Sequence, residues 1–234
     1  SVMDGISAPA LNTWGRNYGA DSNRPQLSHS LFDVPHKVTA SLSYSKRYGR
    51  LFGTTISLLY QGYSGMRYSL TYASTSDVNG DRGYGNTTIY VPTASELAAM
   101  EFENEEQRNA FGNYIEATPA LARSRGKFLA RNALQTPFEH HIDLRIAQDV
   151  YFSAESSRKV QISLDVINLG SLLAKDWGAS YYTSKYRLSP VEISSYQADA
   201  NGYRVPVYRF VGGSVSRNDL LSRWRMQIGV RVVF

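Results

Sequence analysis

Apolar and polar side chains alternate along several long stretches of the chain. Every second residue from Ile142 to Phe152 is apolar except Gln148, and most residues between them are polar or charged. The alternation returns over residues 160–166 and 224–234. Successive side chains of an extended strand point to opposite faces, so this period of two predicts β-strands with one apolar and one polar face.

The composition excludes several other classes of protein. The 234 residues contain no cysteine, which removes disulfide scaffolds, thiol nucleophiles and cysteine-based zinc sites. No stretch approaches the roughly 18 uninterrupted apolar residues of a membrane-spanning helix. The net charge of +5 comes from scattered lysines and arginines, whereas nucleic-acid binding needs them clustered on one face. We therefore expect no nucleic-acid partner.

Seven strands are predicted, with connections that alternate in length. The strands are 36–47, 52–73, 139–152, 158–169, 186–196, 204–210 and 220–234. The predicted organisation is a loop at 1–35, hairpins at 36–73, 139–169 and 186–210, loops at 74–138, 170–185 and 211–219, and a terminal strand at 220–234. Asn104 and Gln107 form a helix-capping pattern in the longest loop and predict a short helix over residues 105–115.

Short turns at one end of antiparallel strands and long loops at the other are typical of a transmembrane β-barrel in a bacterial outer membrane. Aromatic residues near strand ends, such as Tyr48 and Phe52, fit the aromatic belts of such a barrel. A soluble β-sandwich is the alternative, because its strands alternate in the same way. The loop asymmetry and Phe234, which closes an alternating strand, favour the barrel. We expect Phe234 to act as a C-terminal signal for the barrel assembly machinery.

The predicted strand count is odd, whereas bacterial single-chain barrels have even counts and leave no edge open in lipid. Residues 1–35 offer no convincing eighth strand. Seven crossings would also join an external N-terminus to a C-terminus on the inner side. We therefore expect residues 1–234 to be the C-terminal portion of a larger all-β, antiparallel transmembrane barrel, a fragment cut within an external loop.

A series of short motifs runs along the chain. They are Asp33–Val38, Ser76–Asp81, Ile89–Pro92, Asp143–Asp149, Asp165–Gly170, Trp177–Gly178 and Val230–Phe234. Their order and spacing resemble the C-terminal barrel of TonB-dependent outer-membrane receptors, particularly the Oar-like group of Bacteroidota, over most of the chain. The resemblance implies a 22-stranded barrel, a plug domain inside it and a TonB box. These residues contain neither the plug nor the TonB box.

The resemblance also implies energised uptake of a substrate across the outer membrane of a Gram-negative bacterium. External loops would capture the substrate, and TonB would drive rearrangement of the plug. The implied partners are the rest of the barrel, the plug, the TonB system, the barrel assembly machinery, outer-membrane lipid and a surface lipoprotein. The alternative is a barrel with an adhesion, assembly or secretion-related surface role and no transport of its own. The sequence has no nucleophile elbow or phosphate-binding loop, and we expect no enzymatic activity.

Charged residues on the polar faces of the predicted strands are candidates for lining the barrel lumen. They are Asp143, Arg145, Asp149, Asp165, Arg223, Arg225 and Arg231. They could line a solute path or contact the plug, but mutual pairing inside a wet lumen is the favoured interpretation. Either role indicates a wide interior, because a small barrel is filled by side chains.

One loop offers oxygen ligands at the spacing of a calcium site. Asp77, Asn79 and Asp81 occupy the first, third and fifth positions of such a loop. The sixth position is Arg82 and the twelfth is Thr88, in place of the glycine and the glutamate of a calcium loop. An Asx-rich turn is therefore favoured over a Ca²⁺ site, and no other cofactor is expected.

Aromatic residues of the long loops are candidates for recognition of sugars, peptides or partner proteins. They include Tyr84, Tyr90, Trp177, Tyr181 and Tyr182. Packing of the loops against one another is the favoured alternative. The adjacent His140 and His141 would point to opposite faces of a strand and so could not bind one metal ion together.

Overall fold

A computed structural model describes residues 17–21, 23–73, 75, 77–80, 83–174 and 176–234. Strands outnumber helices in these ranges, so the fold is all-β in character. The strands are β1 Lys37–Tyr48, β2 Phe52–Tyr63, β3 Arg67–Tyr72, β4 Tyr90–Val91, β5 Lys127–Phe128, β6 Leu134–Gln135, β7 Glu139–Tyr151, β8 Lys159–Ile167, β9 Tyr181–Tyr182, β10 Arg187–Ala198, β11 Arg204–Phe210, β12 Ser216–Arg217 and β13 Arg225–Val233. The helices are α1 Ala94–Ala99, α2 Glu105–Ala117, α3 Pro119–Ala122 and α4 Gly170–Leu173, with a 3₁₀ turn at Ser184–Tyr186. None of the described helices has the length and apolarity needed to cross a membrane.

Five strands form one antiparallel sheet in the order β1–β2–β7–β8–β13. β1 and β2 pair without interruption from Lys37 opposite Tyr63 to Tyr48 opposite Phe52. The turn between them is tight, and Gly49 adopts a positive φ of 54° there, which glycine tolerates without a steric penalty. Because all neighbours are antiparallel, the short turns after β1 and β7 lie at one end of this sheet. The long connections after β2 and β8 lie at the other end.

The chain divides into two compact units. Unit 2 contains the five-stranded sheet and comprises Val34–Gly65, Thr136–Tyr182 and Ser216–Phe234. Unit 1 comprises the described residues up to Asp33 together with Met66–Gln135 and Thr183–Val215. Two of the unit 1 segments are thus inserted in the connections after β2 and after β8.

Unit 1 has its own sheet and its own hydrophobic core. Its sheet has the order β11–β10–β3–β6, and β10 runs parallel to β3. All six residues of β3 are buried. The buried core consists of Tyr68, Leu70, Tyr72, Ile89, Val91, Phe102, Phe111, Ile115, Leu121, Leu129, Leu134 and Val191. These residues make unit 1 a folded module.

Side-chain caps fix the two longer helices of unit 1. The Asn104 side chain accepts a hydrogen bond of 2.9 Å from the Gln107 N–H at the start of α2, so the predicted capping pattern is present. α2 continues to Ala117, and its Phe111 and Ile115 are buried in the core. Thr93 and Glu96 form a complete capping box at the start of α1.

The predicted strand 52–73 is wrong as a single element. The structure has two strands there, β2 and β3, and they belong to different sheets. Beyond Tyr63 the Ser64 N–H donates a hydrogen bond of 2.9 Å to the His36 carbonyl. Gly65 then lies so close to Thr136 that any Cβ would collide with it. This close approach ends β2 and explains why a glycine occupies the break.

The predicted hairpin 186–210 exists but lies outside the five-stranded sheet. Its strands β10 and β11 pair with each other, and the first half of β10 pairs with β3 in parallel. Val191 of β10 is almost fully buried in the core of unit 1. The expectation of seven strands in one antiparallel sheet is therefore wrong, because packing in unit 1 recruits this hairpin and β3.

Candidate functional site

One face of the five-stranded sheet is apolar and largely uncovered. Directly paired residues form a row across all five strands: Tyr44, Ile56, Ile146, Leu164 and Ile228. Tyr44, Ile56 and Ile228 are exposed, and Ile228 retains 71% of its accessible surface. In water such a row would present a continuous band of hydrocarbon to the solvent.

Neighbouring rows extend this apolar face. The row two residues along consists of Leu42, Leu58, Leu144, Val166 and Met226. Leu42 is 70% exposed, and Met226 at the opposite edge is also exposed. The apolar face is therefore contiguous along the strands as well as across them. We refer to the even-numbered residues of the five strands as the apolar face and to the odd-numbered residues as the polar face.

The polar face carries paired polar and charged side chains. Arg145 Nη1 donates a hydrogen bond of 3.0 Å to Asp165 Oδ1 on the neighbouring strand. The hydroxyls of Ser43 and Ser57 lie 2.9 Å apart. These residues occupy directly opposed positions of β1, β2, β7 and β8. Cross-strand pairs of this kind stabilise the register of a sheet.

Asp149 is the centre of a second polar cluster near the short-turn end. Its carboxylate accepts hydrogen bonds from Lys159 Nζ at 2.6 Å and from Gln161 Nε2 at 2.8 Å. The Arg47 guanidinium lies 4.0 Å from the centre of the Tyr151 ring, which fits a cation–π contact. A buried carboxylate needs such partners, because an unpaired charge away from water is strongly unfavourable.

The apolar face is more exposed than a water-soluble sheet allows, while both faces include exposed and buried residues. On the polar face, Ala147 is only 4% exposed and Asp149 only 7% exposed. On the apolar face Val166 is buried and three residues of the two rows are half-buried. The exposed residues of these rows are Leu42, Tyr44, Ile56, Leu58, Met226 and Ile228. A soluble sheet buries its apolar face and exposes its polar one. This sheet therefore leaves a large apolar surface exposed in the described structure.

The structure gathers most of the charged residues predicted to line a lumen on one surface. Asp143, Arg145, Asp149, Asp165, Arg225 and Arg231 all occupy polar-face positions of the five-stranded sheet. Asp143 accepts a hydrogen bond of 2.8 Å from the Asn168 N–H. Arg223 precedes β13 and lies outside the strand.

Aromatic residues mark both ends of the apolar face. Tyr48 and Phe52 stack with ring centres 6.1 Å apart at the short-turn end. At the other end the Tyr60 hydroxyl is 2.8 Å from His140 Nδ1, and Phe138 packs against the same imidazole with ring centres 4.8 Å apart. Phe52 and Tyr60 are eight residues apart on β2. At about 3.3 Å per residue, they are separated by roughly 26 Å along the strand.

A buried carboxylate at the long-loop end joins β7 to a loop of the same unit. Glu139 is 6% exposed, and its Oε2 accepts hydrogen bonds from the Ser180 hydroxyl at 2.8 Å and the Tyr63 hydroxyl at 3.1 Å. Its Oε1 accepts from the Tyr181 N–H at 3.1 Å. His141 Nε2 lies 3.3 Å from Oε2. The cluster ties the start of β9 to the sheet.

The residue types of this cluster are those of a serine hydrolase triad, but their arrangement differs. The Ser180 hydroxyl donates to Glu139. A single nitrogen of His141, Nε2, lies 3.3 Å from the Glu139 carboxylate and 3.5 Å from the Ser180 hydroxyl. In a triad the carboxylate and the serine contact opposite nitrogens of the imidazole. The geometry indicates a structural tie. The sequence does not predict this cluster, because Ser180 lies 41 residues from Glu139 and no local pattern links them.

Two of the sequence motifs meet in unit 2. Asn168 adopts a positive φ of 57°, and its Nδ2 donates a hydrogen bond of 2.9 Å to the Gly178 carbonyl. Gly178 is itself at φ 69°, and a Cβ there would collide with Asn168. The Trp177 ring packs over Gly170 at the start of α4. The motifs at 165–170 and 177–178 thus close the loop after β8.

The candidate calcium loop lies partly outside the described residues. Asp77 and Asn79 are described, whereas Asp81 is outside the described ranges. Asn79 Nδ2 donates to the Ala20 carbonyl at 3.4 Å. Among the described residues no group of three or more His, Cys, Asp or Glu side chains is placed to hold a metal ion.

The predicted recognition aromatics fall in two different units. In unit 1, Tyr84 is exposed, and Tyr90 packs edge-on against Phe128 and donates a hydrogen bond of 2.8 Å to Glu96. In unit 2, the exposed members are Trp177 and Tyr182, and Tyr181 is half-buried in β9. The structure thus gives two separate groups of aromatic residues.

Comparison with known proteins adds no further information. The chain matches no family model, no curated protein and no solved structure. The geometry described above is therefore the basis for a functional assignment.

Proposed function

We propose that the five-stranded sheet of unit 2 is part of the wall of an outer-membrane β-barrel, and that the chain belongs to a TonB-dependent transporter. The observation that carries the barrel proposal is the exposed apolar face of the sheet, which lies opposite a face of paired polar and charged side chains. An exposed apolar face and a polar face of paired charges fit a wall with lipid outside and water inside. The aromatic residues at both ends of the apolar face fit the interfacial belts of such a wall.

The dimensions support the same proposal. If the strands are tilted by about 40° as in known barrels, the two aromatic ends are separated by roughly 20 Å across the membrane, close to the apolar band of about 25 Å. The strands that cross it, such as β1 with 12 residues and β7 with 13 residues, are long enough for a tilted crossing. Lys46, which stands on the apolar face, lies near the short turn, where its long side chain can reach the interface.

Both edges of the five-stranded sheet support membership of a larger barrel. β1 and β13 each have one neighbour in the described structure. Unpaired backbone groups are strongly unfavourable in lipid, so further strands must complete both edges. We propose that these strands complete a barrel of the 22-stranded class, as the resemblance to TonB-dependent receptors implies.

In this proposal unit 1 captures the substrate outside the cell. Two of its three segments are inserted at the long-loop end of the sheet, which is the external end of such barrels. Its hydrophobic core would hold recognition residues such as Tyr84 in fixed positions. The substrate would then pass along the polar face after TonB has rearranged the plug.

Membrane fractionation of the natural full-length protein, followed by intact mass and peptide mapping, tests this proposal. The expected result is a detergent-requiring outer-membrane protein whose chain carries a plug domain and a TonB box before this sequence. Recovery of the protein in the soluble fraction without detergent would overturn the barrel. An outer-membrane chain without a plug would overturn transport and leave the barrel standing.

A surface role in adhesion, assembly or secretion is the second candidate. The observation that favours it is the folded core of unit 1, since an uptake loop needs no sheet and helices of its own. Measurement of cell-surface attachment with and without a functional TonB system separates the two. Transport is abolished when TonB is removed, whereas an adhesive role is unaffected.

A further inference from the structure

A cavity of about 250 Å³ lies within unit 1. It is lined by residues 17–21 and 24–28 and by residues 128–131 together with Thr88. Backbone pairing joins these parts of the lining, because the Thr88 N–H donates a hydrogen bond of 3.1 Å to the Gly19 carbonyl. The cavity is thus formed entirely by segments of one folded module.

The cavity contains a positive charge that has no acidic partner. Arg131 is half-buried, and its Nε donates a hydrogen bond of 3.0 Å to the Ser28 hydroxyl while its Nη1 donates to Asn17 Oδ1. Both acceptors are neutral, and within the described ranges no carboxylate forms an ion pair with Arg131. Asp21, which also lines the cavity, instead faces Arg24 at 4.0 Å. A cation that has lost part of its hydration is stabilised by a counter-charge, so the lining lacks one negative charge.

The groups around Arg131 are hydrogen-bond donors. Asn17 and Ser28 use their oxygen atoms to accept from Arg131, which leaves the amide N–H groups of Asn17 and the O–H of Ser28 as donors. Together with an arginine they suit an oxyanion, and a carboxylate accepts two parallel hydrogen bonds from a guanidinium group. A phosphate monoester carries a charge of about −1.5 to −2 at neutral pH, which one unpaired arginine does not balance. The charge balance therefore favours a monocarboxylate.

The rest of the lining suits a small aromatic body. Phe128 is 45% exposed and Leu129 beside it is buried. Thr88 is almost fully buried, and its hydroxyl has no hydrogen-bond partner in the part of the chain that the structure describes. A buried hydroxyl without a partner is unfavourable, and a hydroxyl of the ligand would satisfy it. The cavity is smaller than the pockets of about 300–1,000 Å³ that hold drug-sized ligands, so it fits a body of about one ring.

We infer that this cavity binds a small aromatic monocarboxylate with a hydroxyl on its ring, the carboxylate on Arg131 and the ring against Phe128. A neutral sugar would satisfy the Thr88 hydroxyl but would leave the charge of Arg131 without a counter-charge. The hydroxylated aromatic acid accounts for the arginine, the aromatic wall and the buried hydroxyl together. The inference goes beyond the proposed function and does not depend on it, because all the lining residues belong to unit 1.

The test measures binding of para-hydroxyphenylacetate to the full-length protein in detergent by isothermal titration calorimetry. Asn17→Asp places a carboxylate beside Arg131 and keeps the contact between the two side chains, so it should weaken binding at least tenfold without opening the cavity. The control variant Arg123→Ala removes an exposed arginine elsewhere in unit 1 and should bind like the natural protein. The neutral amide para-hydroxyphenylacetamide should bind the natural protein at least tenfold more weakly than the acid does.

Thr88→Val tests the buried hydroxyl. The natural protein should prefer para-hydroxyphenylacetate to phenylacetate, and the variant should bind the two equally. Circular dichroism shows whether each variant is folded. Undetectable binding of the acid to the natural protein, unchanged affinity in N17D, or tighter binding of inorganic phosphate or of a peptide C-terminus would overturn the site. If the protein binds the acid but does not insert in lipid vesicles, only the proposed function fails, and if it inserts but ignores the acid, only this inference fails.

Discussion

Glu139 shows how much one side chain can contribute to holding a loop. Its carboxylate accepts from Ser180, Tyr63 and the Tyr181 N–H while almost fully buried. Hydrogen bonds to a charged group contribute about 1.5–3 kcal/mol each, and loss of a partner leaves buried donors unsatisfied. Glu139→Gln places an amide NH₂ among donors, so we expect it to lower the free energy of unfolding by about 2 kcal/mol.

Urea unfolding of the detergent-solubilised protein measures this effect. Glu155→Gln, at an exposed position in the turn after β7, is the matched control and should change the stability very little. Equal stabilities of the two variants would show that the Glu139 cluster does not hold the loop.

Glu96 gives unit 1 a local dependence on pH. The Thr93 N–H, followed by the hydroxyls of Tyr90 and Thr93, lowers the pKa of the Glu96 carboxyl below its usual 4.5. A lowered folded-state pKa means that the capping contribution is complete above pH 4.5 and is lost as the pH falls through the folded value. We therefore expect the start of α1 to fray in acid. The protection factor of the Thr93 amide, corrected for the pH dependence of intrinsic exchange, should fall as the pH drops through the folded value, and Glu96→Gln should remove most of this pH dependence.

At the scale of single elements, the two units differ in what holds them together. Leu70 in β3 is fully buried in the core of unit 1, whereas Leu42 in β1 is largely exposed on the apolar face. Truncation of a buried leucine to alanine costs about 2–5 kcal/mol, because it removes hydrocarbon contacts and leaves a cavity. Leu70→Ala should therefore destabilise unit 1 by that amount.

The matched variant Leu42→Ala separates burial from residue type. We expect it to leave the unfolding of unit 1 unchanged, since Leu42 belongs to unit 2. Amide exchange resolved by segment measures both variants. Similar losses of protection in unit 1 would contradict the division into two separately cored units.

Sequence alone predicts the strands that have one apolar and one polar face, because their residues alternate in polarity. The predicted strands 36–47, 139–152 and 158–169 lie within two residues of β1, β7 and β8 at each end. β3 could not be separated from β2 in the same way. Its six residues are buried on both faces, so they read as a continuation of the preceding strand. Its parallel pairing with β10 depends on packing between segments more than 100 residues apart, which no local pattern records.

The candidate site was predictable to the same extent. The polar-face charges follow from alternation alone, and the structure places Arg145 opposite Asp165 as a pair. The cluster around Glu139 depends on Ser180, a loop residue that folds back onto the sheet. A loop has no period, so its contacts cannot be read from spacing.

At the scale of the whole molecule, the surroundings of the apolar face distinguish a membrane wall from a soluble sheet. Ile228 belongs to the same row as Ile56, and Ile56 is four residues from both Phe52 and Tyr60. This row therefore lies halfway between the two aromatic ends. If this row is at the bilayer midplane, Ile228→Arg should destabilise the inserted state by about 2–4 kcal/mol. In a soluble sheet an arginine at an exposed position would be tolerated or would improve solubility.

Gln227→Arg is the matched comparison, because it places an arginine on the polar face, one residue before Ile228. A membrane wall predicts that this variant inserts normally, because the new charge faces a wet interior beside Asp165. Insertion in vesicles, followed by protease protection and heat-modified migration, measures both variants. Failure of I228R together with normal insertion of Q227R requires lipid on one face and water on the other. The reverse order, or equal behaviour, would overturn the membrane wall.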